Sequence, residues 1–239
     1  MKTTTMQQTL GRLEPHLSCP EPQTLRDRAY QEIFELLRSG DLQPGAEVTE
    51  SQLTQRLGTT KSPVRAALAQ LFQEGWLVPL ARRGYRVKPL TVADVRDLFL
   101  VRKFVEPAGA RLAAGQIDAA LLKALDEACQ RGFTPGDPDS ERAFFAANKA
   151  FHVGIMKAAG SARLVALVAS LHDEVERVLR FGMRYLDWSC DWSHGHSELL
   201  RALGDADADA AEAVALRQLE TSERIVVEAL RRQSDLMAI

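Results

Sequence analysis

Seven basic side chains stand out between residues 56 and 88, where Glu74 is the only acidic residue. They are Arg56, Lys61, Arg65, Arg82, Arg83, Arg86 and Lys88. Residues 1–90 carry 12 Lys and Arg against 9 Asp and Glu, whereas the rest of the chain carries 18 against 23. A local excess of positive charge suits a polyanionic partner such as DNA or RNA, although mildly basic surfaces also occur on proteins that bind neither.

Arg102 and Glu106 are a second set of residues that could act chemically. Their i, i+4 spacing places both on one face of a helix. One interpretation is an ion pair along the helix, worth about 0.2–0.5 kcal/mol. The other is that Arg102 points into a pocket, where its planar guanidinium binds the carboxylate of a small organic acid. The sequence leaves both interpretations open.

The composition limits the cellular setting of the protein. The 239 residues are 46% hydrophobic, which is enough to bury a core. No signal peptide and no apolar run of about 18 residues is found, so we expect a cytoplasmic protein with no membrane partner. Cys19, Cys129 and Cys190 are odd in number and far apart. This spacing fits neither a disulfide framework nor a CxxC metal site.

Helices and one hairpin are predicted to position the basic residues. Apolar periodicity predicts a first helix over residues 25–37, and Thr49 to Gln52 has the spacing of a capping box for a second helix that ends near Gly58. A third helix follows the possible N-cap Thr60 and ends at Gly75. Residues 76–87 then predict two short strands around a basic turn. Three helices followed by a basic hairpin are typical of a winged helix-turn-helix.

The remainder of the chain predicts only helices, because it is rich in Ala, Leu, Glu and Arg. They fall near residues 91–114, 118–131, 138–158, 161–184, 194–204 and 206–235. The fold class is therefore mainly α: a winged helix-turn-helix with a small β-hairpin wing, followed by an all-α antiparallel helical bundle. The expected organisation is a flexible tail at 1–23, a DNA-binding domain at 24–90, and an effector-binding and dimerisation domain at 91–239.

Many residues of the first part, at fixed spacing, resemble the GntR family of bacterial transcription regulators. They are Leu42–Gly45, Thr49, Glu50, Leu53, Leu57, Gly58, Lys61–Arg65, Ala67, Leu68, Leu71, Glu74, Gly75 and Arg83–Val87. The second part is similar to the ligand-binding domain of the FadR subgroup, the FCD type. Those matching positions are Leu100–Arg102, Glu106, Asn148, Phe151, His152, His196, Leu199, Leu200, Ala202, Gly204 and Asp205.

The resemblance implies which residues contact DNA. These are Thr60, Lys61 and Arg65 on the third helix, and Arg82, Arg83 and Gly84 in the wing. The residue types agree, since arginine binds guanine with two hydrogen bonds, lysine and threonine hold phosphate, and glycine permits close backbone approach. Lys61 stands where family members usually have arginine. Because lysine lacks the planar fork, we expect an altered base preference.

The resemblance also implies an effector site. Related sensor domains hold a divalent metal such as Zn²⁺ with one aspartate and three histidines, and an organic acid often lies beside it. The matching positions here are Asn148, His152, His196 and Gln218, and with Arg102 they form the predicted effector site. Asn148 and Gln218 are amides, which are weak ligands for transition metals. Two alternatives follow: a metal held by Asn148, His152 and His196, or direct hydrogen bonds from these side chains to the effector.

The resemblance predicts a ligand-responsive regulator that binds an inverted-repeat operator as a homodimer. Two other classes of protein fit the sequence less well. A metal-dependent enzyme that uses the winged helix for assembly lacks a nucleophile elbow, an HExxH motif and a phosphate loop. A nucleoid-type protein that binds DNA without sequence preference has no need of a polar pocket inside a helical bundle.

Overall fold

The computed structural model describes residues 24–81, 84–134, 136–182 and 195–237. These residues fall into two compact units. One contains the described part of Ser18–Thr91 together with Glu176–Phe181, and the other contains Val92–Val175 and the described part of Gly182–Ile239. The predicted tail at 1–23 lies outside the described residues, as do Cys19 and Cys190, while Cys129 is a buried free thiol.

The N-terminal unit combines helices with a small sheet. Its elements are α1 (Leu25–Arg38), β1 (Glu47–Val48), α2 (Glu50–Leu57), α3 (Lys61–Gln73), β2 (Leu77–Leu80) and β3 (Gly84–Val87). The strands are antiparallel in the order β1-β3-β2. The predicted helices and hairpin are confirmed. Strand β1 was not predicted, because two residues are too few to show an alternating pattern and their pairing with β3 is long-range.

Local sequence signals define the ends of these helices. The Thr49 side chain accepts a hydrogen bond from the Gln52 backbone, and the Gln52 side chain accepts one from the Thr49 backbone, which completes the capping box of α2. Gly58 ends α2 in the left-handed conformation at φ +60°. One apolar core, which includes Ile33, Leu68 and Val87, holds the three helices against the sheet.

The C-terminal unit is a helical bundle, as predicted. Its helices are α4 (Val92–Ala113), α5 (Ala119–Gln130), α6 (Pro138–Ala158), α7 (Ala162–Gly182), α8 (Gly195–Gly204) and α9 (Ala208–Met237), with Glu176–Phe181 of α7 belonging to the N-terminal unit. Asp118 and Asp137 cap α5 and α6 by accepting hydrogen bonds from backbone N–H groups. Phe151, Leu199 and Leu203 lie in the buried core of this bundle. Among the described residues, no helix is long and apolar enough to cross a membrane.

Candidate functional site

Helix α3 presents its N-terminal residues to solvent. Thr60 occupies the N-cap position but its side chain makes no capping hydrogen bond, and both Thr60 and Lys61 are exposed. Arg65 lies one turn further along, with 67% of its side chain exposed. A helix N-terminus attracts anions because its first N–H groups have no partner within the helix. The three predicted contact residues of this helix therefore lie together on a surface suited to phosphate.

Arg65 already has an acidic partner on the neighbouring helix α2. Its Nε donates to Glu50 Oε1 at 2.9 Å, and its Nη2 donates to Glu50 Oε2 at 2.9 Å. These hydrogen bonds from Arg65 lower the pKa of Glu50. Exposed ion pairs are worth only about 0–1 kcal/mol. The guanidinium can therefore exchange Glu50 for a nucleic-acid acceptor at little cost.

The wing residues divide into described and undescribed positions. Arg82 and Arg83 lie outside the described residues. Gly84 has φ +99°, and a Cβ at this position would lie 2.5 Å from the carbonyl oxygen of Val48. The close approach of β3 to β1 therefore requires glycine at this position for the fold itself. A DNA contact through Gly84 stays a prediction.

A cavity of about 380 Å³ lies within the helical bundle. Helix α4 contributes Arg102, α6 contributes Asn148 and His152, α8 contributes His196, and α9 contributes Gln218. The structure thus brings together all five residues of the predicted effector site, although they are spread over more than 110 positions of sequence. At the same cavity, Arg217 pairs with Glu198 at 2.8 Å.

Arg102 and Glu106 form an ion pair that is almost completely buried, with 5% and 4% of their side chains exposed. Arg102 Nε donates to Glu106 Oε1 at 2.5 Å, and Nη2 lies 3.4 Å from Oε2. The two side chains form the ion pair of the first interpretation. The pair is buried, however, whereas that interpretation described a pair on the helix surface. Both residues also line the cavity, so Arg102 is placed where the alternative interpretation requires it.

Glu106 is the centre of a buried group of ionisable side chains. His152 Nδ1 lies 3.0 Å from Glu106 Oε2, and His172 Nε2 lies 3.4 Å from Oε1. Burial alone would raise the pKa of Glu106, but the positive charge of Arg102, assisted by the two imidazoles, holds that pKa well below its usual range. Burial also lowers the pKa of His152 and brings that of His172 to about 3. At neutral pH the carboxylate is therefore charged and both imidazoles are neutral.

His196 faces a second buried carboxylate. Its Nδ1 lies 3.3 Å from Asp126 Oδ1, while Asp126 Oδ2 accepts a hydrogen bond from Gln130 Nε2 at 2.7 Å. The His196 ring stacks on Phe151 at a centroid distance of 4.0 Å. His152 and His196 therefore both turn Nδ1 toward a carboxylate, which leaves Nε2 on the opposite side of each ring. Metal-binding histidines commonly have this arrangement.

Two sets of residues could hold a metal ion. Glu106, His152 and His172 each offer a ligand atom, and these atoms lie within 4.8 Å of one another. The set implied by the resemblance, with Asn148 and His196, shares only His152 with it. Both nitrogens of buried His172 have no hydrogen-bond partner among the described residues. The side chains present therefore fit a divalent cation, although Arg102 already compensates the charge of Glu106.

Sequence analysis missed His172 and Asp126 as site residues. Each lies on the apolar face of an amphipathic helix: Asp126 between Leu122 and Cys129 on α5, and His172 between Val168 and Val175 on α7. A polar residue at a position where the period predicts burial is a usable signal, because burial requires a partner for it. The partner itself could not be identified, because it lies on another helix.

Comparisons with known proteins give consistent results. The model of the bacterial regulatory proteins of the gntR family matches residues 25–87, and the FCD domain model matches residues 97–221. A probable D-xylose utilization operon transcriptional repressor of Paenarthrobacter nicotinovorans is 30% identical over 79% of this chain and 80% of its own. An uncharacterized HTH-type transcriptional regulator of Streptomyces ambofaciens is 28% identical over 79% of each chain.

A solved structure supports the same fold. The chain of E. coli McbR/YncC superposes with a TM-score of 0.73 at 20% identity, covering 86% of this chain and 98% of that one. At this identity the likeness shows the fold alone. The two family models, however, account together for most of the described residues. The chain therefore belongs to the GntR family of bacterial transcriptional regulators, in the FadR subgroup that carries an FCD domain.

Proposed function

We propose that this regulator binds an inverted-repeat operator as a homodimer, and that a small carboxylate-bearing metabolite in the bundle cavity controls its affinity for DNA. The observation that carries the proposal is the meeting of Arg102, Asn148, His152, His196 and Gln218 at one cavity. The family consists of transcriptional regulators, so the enzyme interpretation is not retained.

Several polar groups support a carboxylate ligand. The Arg102 guanidinium bonds Glu106 through Nε and Nη2, and no described residue accepts a hydrogen bond from Nη1. The amides of Asn148 and Gln218 offer further N–H donors at the same cavity. Glu106 fixes the orientation of the guanidinium in advance, which reduces the entropy lost on binding. The effector would then shift the population of conformations that bind DNA.

A divalent metal is the second candidate occupant, favoured by the carboxylates behind His152 and His196. These two imidazoles, with Asn148, would hold it, and the metal would supply a positive charge for the effector carboxylate. Glu106, His152 and His172 form the other possible set. Metal analysis separates the sets: His196→Gln loses the metal only in the first set, and His172→Gln loses it only in the second.

Gln218→Glu distinguishes the two occupants, because it keeps the shape of the side chain and adds one negative charge. For direct binding, we expect at least tenfold weaker affinity for a carboxylic acid that binds the wild-type chain, measured by calorimetric titration. For a metal-held effector, we expect tighter metal binding by the same variant. Gln116→Glu is the matched control, since Gln116 is exposed and lies outside the cavity lining. If no acid in a panel of mono- and dicarboxylates binds, with or without added metal, the proposed effector class is wrong.

The operator is tested separately by selecting bound sequences from random DNA with the full chain. An inverted repeat with half-sites about one helical turn apart, 10–10.5 base pairs, is the expected result. Selection of a single half-site, or of no preferred sequence, would contradict a two-fold symmetric dimer on the operator.

A further inference from the structure

The opening of the bundle cavity holds a second ion pair. Arg217 Nη2 on α9 donates to Glu198 Oε1 on α8 at 2.8 Å, and both residues line the cavity. Their side chains are 56% and 52% exposed, whereas the Arg102 side chain, at the same cavity, is 5% exposed. The cavity therefore has one arginine in its interior and a second arginine where it meets solvent.

The pair of Arg217 and Glu198 can open at little cost. Both partners are more than half exposed, so water solvates whichever partner is released, and exposed ion pairs contribute little stability. Among the described residues only Glu198 accepts a hydrogen bond from Arg217, and the guanidinium has further donors on Nε and Nη1. An anionic group of a ligand can therefore replace Glu198 on Arg217 without disturbing a buried contact.

Helix α9 places further polar groups beside this arginine. Thr221 lies four residues after Arg217 on the same face of α9, is exposed and also lines the cavity. Gln218 and Ser222 have the same spacing and line the cavity at partly buried positions. Exposure thus increases from Arg102 through Gln218 to Arg217. The polar groups therefore extend from the interior of the cavity to its opening.

The rest of the lining is largely apolar. Ile155, Leu199, Val214 and Leu219 belong to it, and the volume of about 380 Å³ lies within the range of about 300–1,000 Å³ that is typical of small-molecule sites. Apolar walls favour a methylene chain, whereas the two arginines favour carboxylates, because a planar guanidinium binds a carboxylate with two hydrogen bonds. A short chain with a carboxylate at each end matches both features.

We propose that the effector is a dicarboxylate. Its first carboxylate binds Arg102 in the interior, and its second carboxylate displaces Glu198 and binds Arg217 at the opening, where the Thr221 hydroxyl is a further donor. This inference rests on the proposed function, since it names the class of acid that the same cavity takes. In the free protein, Glu198 occupies the place of the second carboxylate, and the bound ligand connects α4 with α9.

Calorimetric titration of the full chain with paired acids tests the second carboxylate site. The probes are malonate, succinate, glutarate and adipate, each compared with the monocarboxylate of the same chain length. We expect at least one dicarboxylate to bind about tenfold or more tightly than its monocarboxylate, the effect of one charge-assisted contact. Arg217→Gln, which keeps a polar side chain but removes the charge, should abolish this advantage and leave the monocarboxylate affinity within about twofold.

Glu198→Gln tests the exchange from the opposite side, because it removes the group that competes for Arg217. The dicarboxylate affinity should rise about threefold, whereas the monocarboxylate affinity should not change. Arg232→Gln and Glu228→Gln are the matched controls. These two residues form a similarly exposed ion pair on α9, at 61% and 50%, but lie outside the cavity lining, so neither substitution should change either affinity.

The possible failures are distinguishable. If no acid binds the wild-type chain, both the effector class of the proposed function and the second carboxylate site are wrong. If acids bind but the dicarboxylates have no advantage, or keep it in Arg217→Gln, only the second site is wrong. Circular dichroism establishes that each variant is folded. Should Arg217→Gln fail to fold, Glu198→Gln decides the matter, and an unchanged dicarboxylate affinity would then overturn the inference.

Discussion

The two units of this regulator each contain an arginine paired with a glutamate, in opposite surroundings. Arg65 and Glu50 are joined by two hydrogen bonds of 2.9 Å at the surface, where 67% of the arginine side chain is exposed. Arg102 and Glu106 make a similar pair with only 5% and 4% exposed. Water solvates either partner of the first pair if the other leaves, whereas the second pair has little contact with water to replace a lost partner. The surface pair is therefore suited to exchange with DNA, and the buried pair to hold a pocket in shape.

The largest expected effect comes from breaking the buried pair. Arg102→Met leaves the Glu106 carboxylate without its strongest counter-charge, and we expect the free energy of unfolding to fall by about 3–5 kcal/mol. Chemical denaturation of the full chain at neutral pH measures this change. Arg65→Met is the control, for which we expect less than about 1 kcal/mol. If both substitutions lowered the free energy of unfolding equally, burial would not be what distinguishes the two ion pairs.

The buried histidines make the C-terminal unit sensitive to acid. An unfolded histidine binds a proton near pH 6.5, whereas folded His172, with a pKa of about 3, does not. Between these values the unfolded state holds more protons, so stability falls as the pH falls. From pH 6.5, where the unfolded histidine is half protonated, to pH 4.5, His172 alone is expected to cost about 2 kcal/mol, because the slope reaches about 1.4 kcal/mol per pH unit only well below the unfolded pKa.

The variant His172→Gln tests this sign and magnitude. It removes the titrating group, so its unfolding free energy should decrease by about 2 kcal/mol less than that of the wild type over the same two pH units. Denaturant titrations at pH 6.5, 5.5 and 4.5 measure the slopes. Parallel slopes for the two proteins would show that His172 is protonated as readily in the folded chain as in the unfolded one.

Arg65 should matter for DNA rather than for stability. Arg65→Ala is expected to weaken operator binding by about 10- to 100-fold, the effect of losing one specific arginine contact to a base. Arg232→Ala is a matched control, because Arg232 is 61% exposed and pairs with Glu228, but lies on α9 in the other unit. Fluorescence anisotropy on the selected operator measures both. Equal losses would mean that Arg65 contributes only its charge.

The same contrast explains what could be predicted from the sequence. Helix ends and the hairpin depend on neighbouring residues, such as Thr49 with Gln52, so the predicted elements agree with the structure within a few residues. The effector residues were predicted through the family resemblance, and the structure shows that they line one cavity. His172 and Asp126 were missed because their partners, Glu106 and His196, lie on other helices. Pairing across helices leaves no periodic signal in one sequence.

The smallest expected effect concerns the partner of Arg65. Glu50→Gln removes an exposed pair worth at most about 1 kcal/mol, so we expect little change in unfolding free energy. Because Arg65 no longer has to leave a carboxylate, and because one negative charge near the phosphates is lost, DNA affinity should rise by at most about fivefold. Glu228→Gln, which frees Arg232 in the same way, should leave the DNA affinity unchanged. If Glu50→Gln instead weakened operator binding tenfold, Glu50 would be holding Arg65 in the conformation that contacts DNA, and the surface pair would resemble the buried one in its role.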